Sequence, residues 1–137
     1  MPVVVLDTDV ASRLQKGQLT RAVAQSLVGA TVTLSFVTVA ELLKWADARS
    51  WGAARRAELD RWLEPIPVQL VDREVCSQWA LLSAAAERRG RPRPVNDMWV
   101  AASCLAVDLT LVTYNRADFE DFEQYHGLRI LPARPSS

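Results

Sequence analysis

The chain has 137 residues, half of them hydrophobic, which fits one domain with a sizeable core and leaves little room for a second. Its 16 basic and 16 acidic side chains cancel, which excludes a uniformly basic nucleic-acid-binding surface and leaves only local patches. No apolar run approaches the roughly 20 residues that span a bilayer, so we expect no membrane segment.

The first half of the chain alternates two short apolar strands with four helices. Val3 to Leu6 is rich in β-branched residues, which predicts a strand buried on both faces, and Val32 to Phe36 predicts a second strand. A capping-box pattern predicts a helix start at Thr38, with Glu41 in its first turn. The predicted helices run from Val10 to Lys16, from a cap at Thr20 to a stop at Gly29, from Thr38 to Ala46 and from Ala53 to Leu63.

The second half continues the same alternation. Strands are predicted at Val68 to Val71, Leu109 to Val112 and Leu128 to Leu131. Helices are predicted from Arg73 to about Arg89, from Asn96 or Asp97 to Val107, and after Asn115. Asp72 can cap the first of these helices and Gly90 can end it, since glycine readily adopts the left-handed conformation at a helix end. Residues 132–137 are predicted to form a frayed tail.

Short buried strands that alternate with helices predict an α/β fold with a parallel sheet covered on both faces. In such sheets ligands bind at the carboxyl ends of the strands, which share one edge. Asp7 directly follows the first strand, Glu41 follows the second and Asp118 follows the fourth. Asp97 joins them if its helix starts at that edge. We therefore expect these four carboxylates to form one patch.

Each of these acids also has a purely structural interpretation. Asp7 is suited to cap a helix, and Glu41 is the third residue after its predicted cap. Asp97 and Asp118 lie where acids favour the positive ends of helix dipoles. The structural interpretations weaken when taken together, because several acids would then share one patch by accident.

A carboxylate patch has a definite chemistry. Carboxylates within about 4–6 Å of one another repel, so the patch must take up protons or bind a cation. Oxygen ligands without His or Cys suit Mg²⁺, with Mn²⁺ as a substitute, rather than zinc. A metal held by carboxylates is suited to phosphodiester cleavage, because it binds the phosphate and lowers the pKa of a bound water. The only histidine, His126, lies near the end in a predicted turn, which argues against a histidine-based nuclease.

Four segments, in order along nearly the whole chain, resemble the motifs of PIN-domain ribonucleases, and specifically of VapC toxins from type II toxin–antitoxin systems. They are Val4 to Asp9, Val37 to Leu42, Asp97 to Ala102 and Thr113 to Phe119. No single motif is specific, but the order and spacing of the four together are. The resemblance implies a three-layer α/β/α fold with a five-stranded parallel sheet, in one domain of residues 1–137.

The resemblance also implies metal-dependent endonucleolytic cleavage of RNA, inhibition by a VapB-type antitoxin, and homodimerisation. It makes Asp7 and Asp97 the core metal ligands, with Glu41 and Asp118 completing the catalytic pocket directly or through water. Thr113 and Asn115 would position water or phosphate. The role of Asp9 stays open: it either caps a helix or serves as an outer acid of the site.

Basic residues stand just before Asp97, and 14 of the 16 basic residues in the chain are arginines. The cluster contains Arg88, Arg89, Arg91 and Arg93. An acidic pocket repels RNA, so Arg91 and Arg93 are candidate phosphate contacts. The alternatives are a solvated helix end, where arginine favours the dipole, and codon bias in a GC-rich genome.

Two groups of tryptophans are also left open. Trp45, Trp51 and Trp62 lie on consecutive helical segments, where they fit a groove for an antitoxin helix, a surface that stacks on RNA bases, or ordinary packing. Trp79 and Trp99 fit either the core or a dimer interface.

The two cysteines indicate which cellular compartment suits the protein. Cys76 and Cys104 lie in apolar helical patterns without metal-ligand spacing, which predicts buried free thiols rather than a disulfide framework. The first apolar segment is too short for a signal peptide. We therefore expect a cytoplasmic protein.

Two other functions compete with the nuclease. An aspartate-based phosphotransfer enzyme would use an acid such as Asp7 after the first strand, but it needs a partner lysine and the chain has none after Lys44. A non-catalytic PIN-like protein-binding module would need none of the acids, so their presence at all four stations argues against it.

Overall fold

The computed structural model describes residues 2–134 of the chain. The strands of this part are β1 (Val3–Leu6), β2 (Thr31–Ser35), β3 (Val68–Gln69), β4 (Thr110–Val112) and β5 (Ile130–Leu131). Its helices are α1 (Thr8–Lys16), α2 (Arg21–Ser26), α3 (Phe36–Ala48), α4 (Ala53–Leu63), α5 (Arg73–Arg88), α6 (Val95–Ala106) and α7 (Arg116–His126). Each predicted strand and helix is therefore present, with shifts at several ends.

The sheet has five parallel strands in the order β3-β2-β1-β4-β5, which confirms the predicted architecture. The first strand of the chain is thus the central one. Its last residue, Leu6, pairs with Leu34 of β2 and Val112 of β4. The carboxyl ends of these three strands therefore lie side by side at one edge.

Two apolar cores lie on opposite faces of the sheet. Val4 and Leu6 point into a core built with α1 to α4, whereas Val5 points into a core built mainly with α5 to α7. This alternation follows from the two-residue period of a strand. Full burial of a side chain of this size stabilises the fold by about 1.5–3 kcal/mol. The three-layer α/β/α prediction is therefore confirmed.

The start of α3 differs from the prediction. Its N-cap is Ser35, whose hydroxyl accepts a 3.4 Å hydrogen bond from the Thr38 amide, so Phe36 belongs to the helix and not to β2. The capping-box prediction at Thr38 was wrong, because the buried serine at the end of the strand caps the helix three residues earlier. Glu41 consequently lies in the second turn of α3 rather than the first.

Two further predictions were wrong at the level of single residues. The helix after β1 begins at Thr8 and not at Val10, because Asp7 is its N-cap and accepts a 2.9 Å hydrogen bond from the Thr8 amide. Cys76 is exposed, since it lies one position off the stripe through which α5 packs on the core, whereas Cys104 is buried as expected.

Residues 132–134, the start of the predicted tail, contact α7. Arg116 donates to the carbonyl of Pro132, and Arg134 lies 3.0 Å from a carboxylate oxygen of Glu123. Residues 135–137 of that tail lie outside the described part of the chain. Between residues 2 and 134, no helix is both long enough and apolar enough to cross a bilayer.

Candidate active site

Asp7 lies at the end of the central strand, and each of its carboxylate oxygens accepts a hydrogen bond. Oδ1 accepts the bond from the Thr8 amide, and Oδ2 accepts a 2.9 Å hydrogen bond from the Thr113 hydroxyl. Burial is the largest cause of the raised pKa of Asp7. The hydrogen bonds from Thr113 and Thr8 lower this pKa and the negative charges of Glu41 and Asp9 raise it, so that the net shift is upward. Asp7 is thus both the predicted helix cap and a member of the patch.

Thr113 follows β4 and is buried. Its hydroxyl donates to Asp7 and accepts a 3.0 Å hydrogen bond from the Asn115 amide. This arrangement fixes the orientation of the Asp7 carboxylate from the neighbouring strand. The Asn115 side chain is exposed and makes no capping bond to α7, although the sequence predicted a cap there.

Glu41 is held by a second threonine. The Thr8 hydroxyl donates a 2.8 Å hydrogen bond to Glu41 Oε1, which brings the starts of α1 and α3 together. The Thr38 hydroxyl lies 3.1 Å from that of Thr8 and 3.4 Å from the carbonyl of Leu6. Because Thr8 uses its only hydroxyl hydrogen on Glu41, Thr38 can donate either to Thr8 or to the Leu6 carbonyl; Glu41 is therefore oriented by Thr8, which Thr38 contacts from behind.

Asp97 lies in the first turn of α6 and is half-buried. Burial raises its pKa, and the charges of Asp118, Asp7 and Glu41 raise it further against the opposing effect of Arg93, to about 6. Coulomb interactions fall off with distance, so the charges of the other three predicted acids lie near enough to Asp97 to act on it. None of the four forms an ion pair with another residue in the range 2–134.

The donor set suits a hard divalent cation. Among the described residues, no three acidic, histidine or cysteine side chains are close enough, as they stand, to enclose a metal ion. Asp7 and Glu41 are hydrogen-bonded to threonines instead, but each bonded carboxylate oxygen keeps a second lone pair. All the donors are oxygens. The pKa of Asp97 is raised by burial first and by the neighbouring negative charges second, and a divalent cation would offset those charges.

The arginines ahead of α6 differ in what they contact. Arg91 is exposed and forms a 2.8 Å ion pair with Asp121, while Arg89 lies over the Tyr125 ring at 4.3 Å. Arg93 is close enough to Asp97 to lower its pKa, and its Nε is buried without a hydrogen-bond partner in residues 2–134. Arg93 is therefore the arginine of this loop most directly associated with the acids.

The positioning roles of Thr8 and Thr38 were not predicted from the sequence. The available signal was a hydroxyl residue directly after Asp7 and another three residues before Glu41. Asp9, which was left open, is not the cap of α1; it lies in the first turn and pairs with Arg13 at 3.6 Å.

The tryptophans pack against the two cores but are not fully buried. Trp45, Trp51 and Trp62 are half-buried against the core formed with α1 to α4, so each contributes to packing and keeps part of its ring exposed. Trp79 and Trp99 stack on each other, with ring centroids 5.1 Å apart, against the opposite core.

Comparisons with known proteins agree with this geometry. A family model described as the PIN domain matches residues 4–125, a range that contains all four acids. Ribonuclease VapC1 of Haemophilus influenzae (strain R2866) is 28% identical over 120 residues, which cover 85% of this chain and 89% of that protein.

Solved structures show the same fold. The structure of VapBC-1 from nontypeable Haemophilus influenzae has a TM-score of 0.77 at 25% identity, covering 93% of this chain and 96% of that chain. VapBC-5 from Mycobacterium tuberculosis, a member of the VapBC family of toxin-antitoxin systems, has a TM-score of 0.73 at 25% identity, covering 97% and 100%. The similarity therefore extends over almost the whole of each chain.

Proposed function

This chain belongs to the PIN domain family, and from that premise we propose that it is a divalent-metal-dependent endoribonuclease that acts as the toxin of a type II toxin–antitoxin system. The observation that carries the proposal is that Asp7 and Glu41, from the segments that follow β1 and β2, meet at the carboxyl edge of the parallel sheet, each held by a threonine hydroxyl. The similarity to Ribonuclease VapC1 over most of both chains supports RNA as the substrate.

PIN-domain VapC ribonucleases generally depend on a divalent metal, and for this chain the metal is proposed to be Mg²⁺, with Mn²⁺ as a substitute. Asp7 and Asp97 would hold it, with Glu41 and Asp118 directly or through water. When bound, it supplies charge stabilisation at the scissile phosphate and an acidified water.

The other roles are carried by the side chains of the chain itself. Glu41 is held through Oε1, which leaves Oε2 to orient the attacking water and accept its proton. Thr113 holds Asp7, and Asn115, exposed beside it, is placed to contact phosphate or water. Arg93 is assigned to the phosphate backbone, with Arg91 as an outer contact that must first leave Asp121.

The proposed partners follow from the same relatives. The similar structures are of VapBC proteins, which supports neutralisation by a VapB-type antitoxin. Homodimerisation of the toxin is proposed on the family resemblance alone. Residues 1–137 are proposed to form one PIN domain. The site of action is proposed to be the cytoplasm, where cellular RNA is translated.

Cleavage of RNA with Mg²⁺, compared with Mg²⁺ plus EDTA, tests this function. We expect cleavage only with free metal, none by Asp97→Asn at any metal concentration, and inhibition when the protein encoded immediately upstream is added. Equal cleavage with and without EDTA, or no cleavage with any divalent metal, would contradict the proposal. The Lys16→Gln variant is the control, because Lys16 is exposed at the end of α1 and takes no part in the site.

A further inference from the structure

A cavity of about 310 Å³ opens beside the acid patch, between α3 and the start of α6. Its walls include Phe36, Glu41, Lys44, Trp45, Asn96 and Trp99. Glu41 belongs to both the cavity and the acid patch, and Asn96 directly precedes Asp97. The cavity is therefore continuous with the proposed cleavage site.

The aromatic walls of the cavity are held in place from behind. Trp99 stacks on Trp79 with the ring planes 21° apart and meets Phe36 edge-on at a centroid distance of 5.7 Å. Trp45 is half-buried, and the guanidinium of Arg49 lies 5.0 Å from the centre of its ring. Preorganised aromatic surfaces of this kind favour a flat ligand, because stacking then costs little side-chain entropy.

The polar groups of the cavity are available to a ligand. Lys44 is exposed and forms no ion pair with any residue between 2 and 134. Asn96 is exposed too, and it combines an amide donor with a carbonyl acceptor. A purely apolar side chain from another protein would leave these groups, together with Glu41, unmatched.

We propose that this cavity binds one unpaired nucleobase of the RNA, next to the phosphodiester that is cleaved. The inference rests on the proposed nuclease function and adds a specificity pocket to it. The base stacks among the aromatic walls while Lys44 and Asn96 contact its edge. Lys44 carries only donors, so a base edge with a carbonyl oxygen, as in guanine or uracil, fits better than adenine.

The test measures binding separately from cleavage. The host protein is Asp97→Asn with Mg²⁺, which keeps the RNA intact, and the probe is a short fluorescein-labelled single-stranded RNA that the wild-type protein cleaves, or the tightest binder if it cleaves none. Single abasic nucleotides are placed at each position in turn, and Kd is measured by anisotropy. Lys44→Gln and Asn96→Ala are compared with Lys16→Gln, a matched loss of charge at the only other lysine of the chain.

We expect one position, beside the cleaved bond, where removal of the base raises Kd at least tenfold in the host and in Lys16→Gln. In Lys44→Gln and Asn96→Ala, removal of the same base should raise Kd by a several-fold smaller factor. That pattern would support the pocket even if the wild-type protein cleaved no RNA, in which case the nuclease proposal alone would fail.

The overturning results are equally distinct. The cavity would not be a base pocket if an abasic nucleotide raised Kd by the same factor at every position. It would not be one either if this increase in Kd were unchanged in both cavity variants while the wild type cleaved RNA. Loss of self-association or of antitoxin binding in the two variants, without a change in the abasic penalty, would assign the cavity to a protein partner instead.

Discussion

The hydroxyl of Thr113 donates a 2.9 Å hydrogen bond to Asp7, a residue 106 positions earlier in the chain. The pairing of β1 with β4 brings the two residues together, because Leu6 and Val112 are opposite each other in the register. Asp7 is therefore oriented by a neighbouring strand as well as by its own helix. A carboxylate held in this way presents fixed lone pairs to a cation.

Thr113→Val should lower RNA cleavage about 10–100-fold while leaving the fold intact, because the isosteric side chain keeps the packing but removes the hydrogen bond to Asp7, together with the one accepted from the Asn115 amide. The reason is a less well oriented metal ligand, so part of the loss should be recovered at high Mg²⁺. Cleavage rates against Mg²⁺ concentration would show this. Thr113→Ser keeps the hydroxyl and should retain most of the activity; a serine variant as inactive as the valine variant would contradict the hydrogen-bond argument.

Asp97→Asn should abolish cleavage and yet make the metal-free protein more stable at neutral pH. Folding raises the pKa of Asp97 from 3.8 to about 6, so the folded state holds its proton more tightly than the unfolded state does. The wild-type protein without metal therefore loses stability as the pH rises from about 4 through 6. The asparagine variant escapes this loss, which is on the order of 1 kcal/mol because solvent screens a half-exposed carboxyl.

Thermal melting of both proteins in EDTA at pH 4 and pH 7.5 would measure that difference. We expect similar Tm values at pH 4 and a higher Tm for Asp97→Asn at pH 7.5. Saturating Mg²⁺ should then stabilise the wild type more than the variant. An Asp97→Asn protein that melts well below the wild type at pH 7.5 in EDTA would show that Asp97 stabilises the fold rather than crowding the patch.

Arg93 and Arg91 should differ in their contribution to RNA binding. Arg93 lies near enough to Asp97 to lower its pKa, and its buried Nε has no hydrogen-bond partner in the described part of the chain, whereas Arg91 is already paired with Asp121. Arg93→Gln should reduce the slope of log Kd against log salt concentration by about 0.7, the value for one phosphate contact on a single strand. Arg91→Gln should change it little. Equal slopes for the two variants would place the backbone contact elsewhere.

The two cysteines should react very differently with a thiol reagent such as DTNB. Cys104 is fully buried in α6, and burial also raises its pKa, so neither access nor ionisation favours reaction. Cys76 is exposed on α5. One thiol per chain should titrate in the native protein and both in denaturant. Cys76→Ser should remove the native reaction, and a rapid reaction in that variant would mean that α6 opens readily.

The acids were predictable from the sequence because their placement depends on topology alone. A continuous run of β-branched residues predicts a strand such as Val3–Leu6. Parallel pairing then places the residues that follow each strand at one edge of the sheet. Asp7 and Asp118 needed no side-chain detail to be placed there. Asp97 required one further assumption, that α6 starts at the same edge; its neighbour Asn96 lines the same cavity as Glu41, which supports that assumption.

Local hydrogen bonding was less predictable, because several residues compete for the same partner. Ser35 and Thr38 both carry hydroxyls near the start of α3, and only the three-dimensional packing decides that Ser35 caps the helix. The same packing frees Thr38 to approach Thr8 and leaves Cys76 on the outer side of α5. Sequence periodicity reports which face is apolar, not which of two adjacent residues lies at its margin.

The central position of the first strand has a consequence for synthesis on the ribosome. Val3–Leu6 is synthesised well before its partner Thr110–Val112, and the hydroxyl that orients Asp7 follows Asp7 by 106 residues. A nascent chain that lacks them has neither a closed sheet nor an assembled set of acids. We therefore expect RNA cleavage by this chain only after Thr113 has been synthesised and β4 has paired with β1.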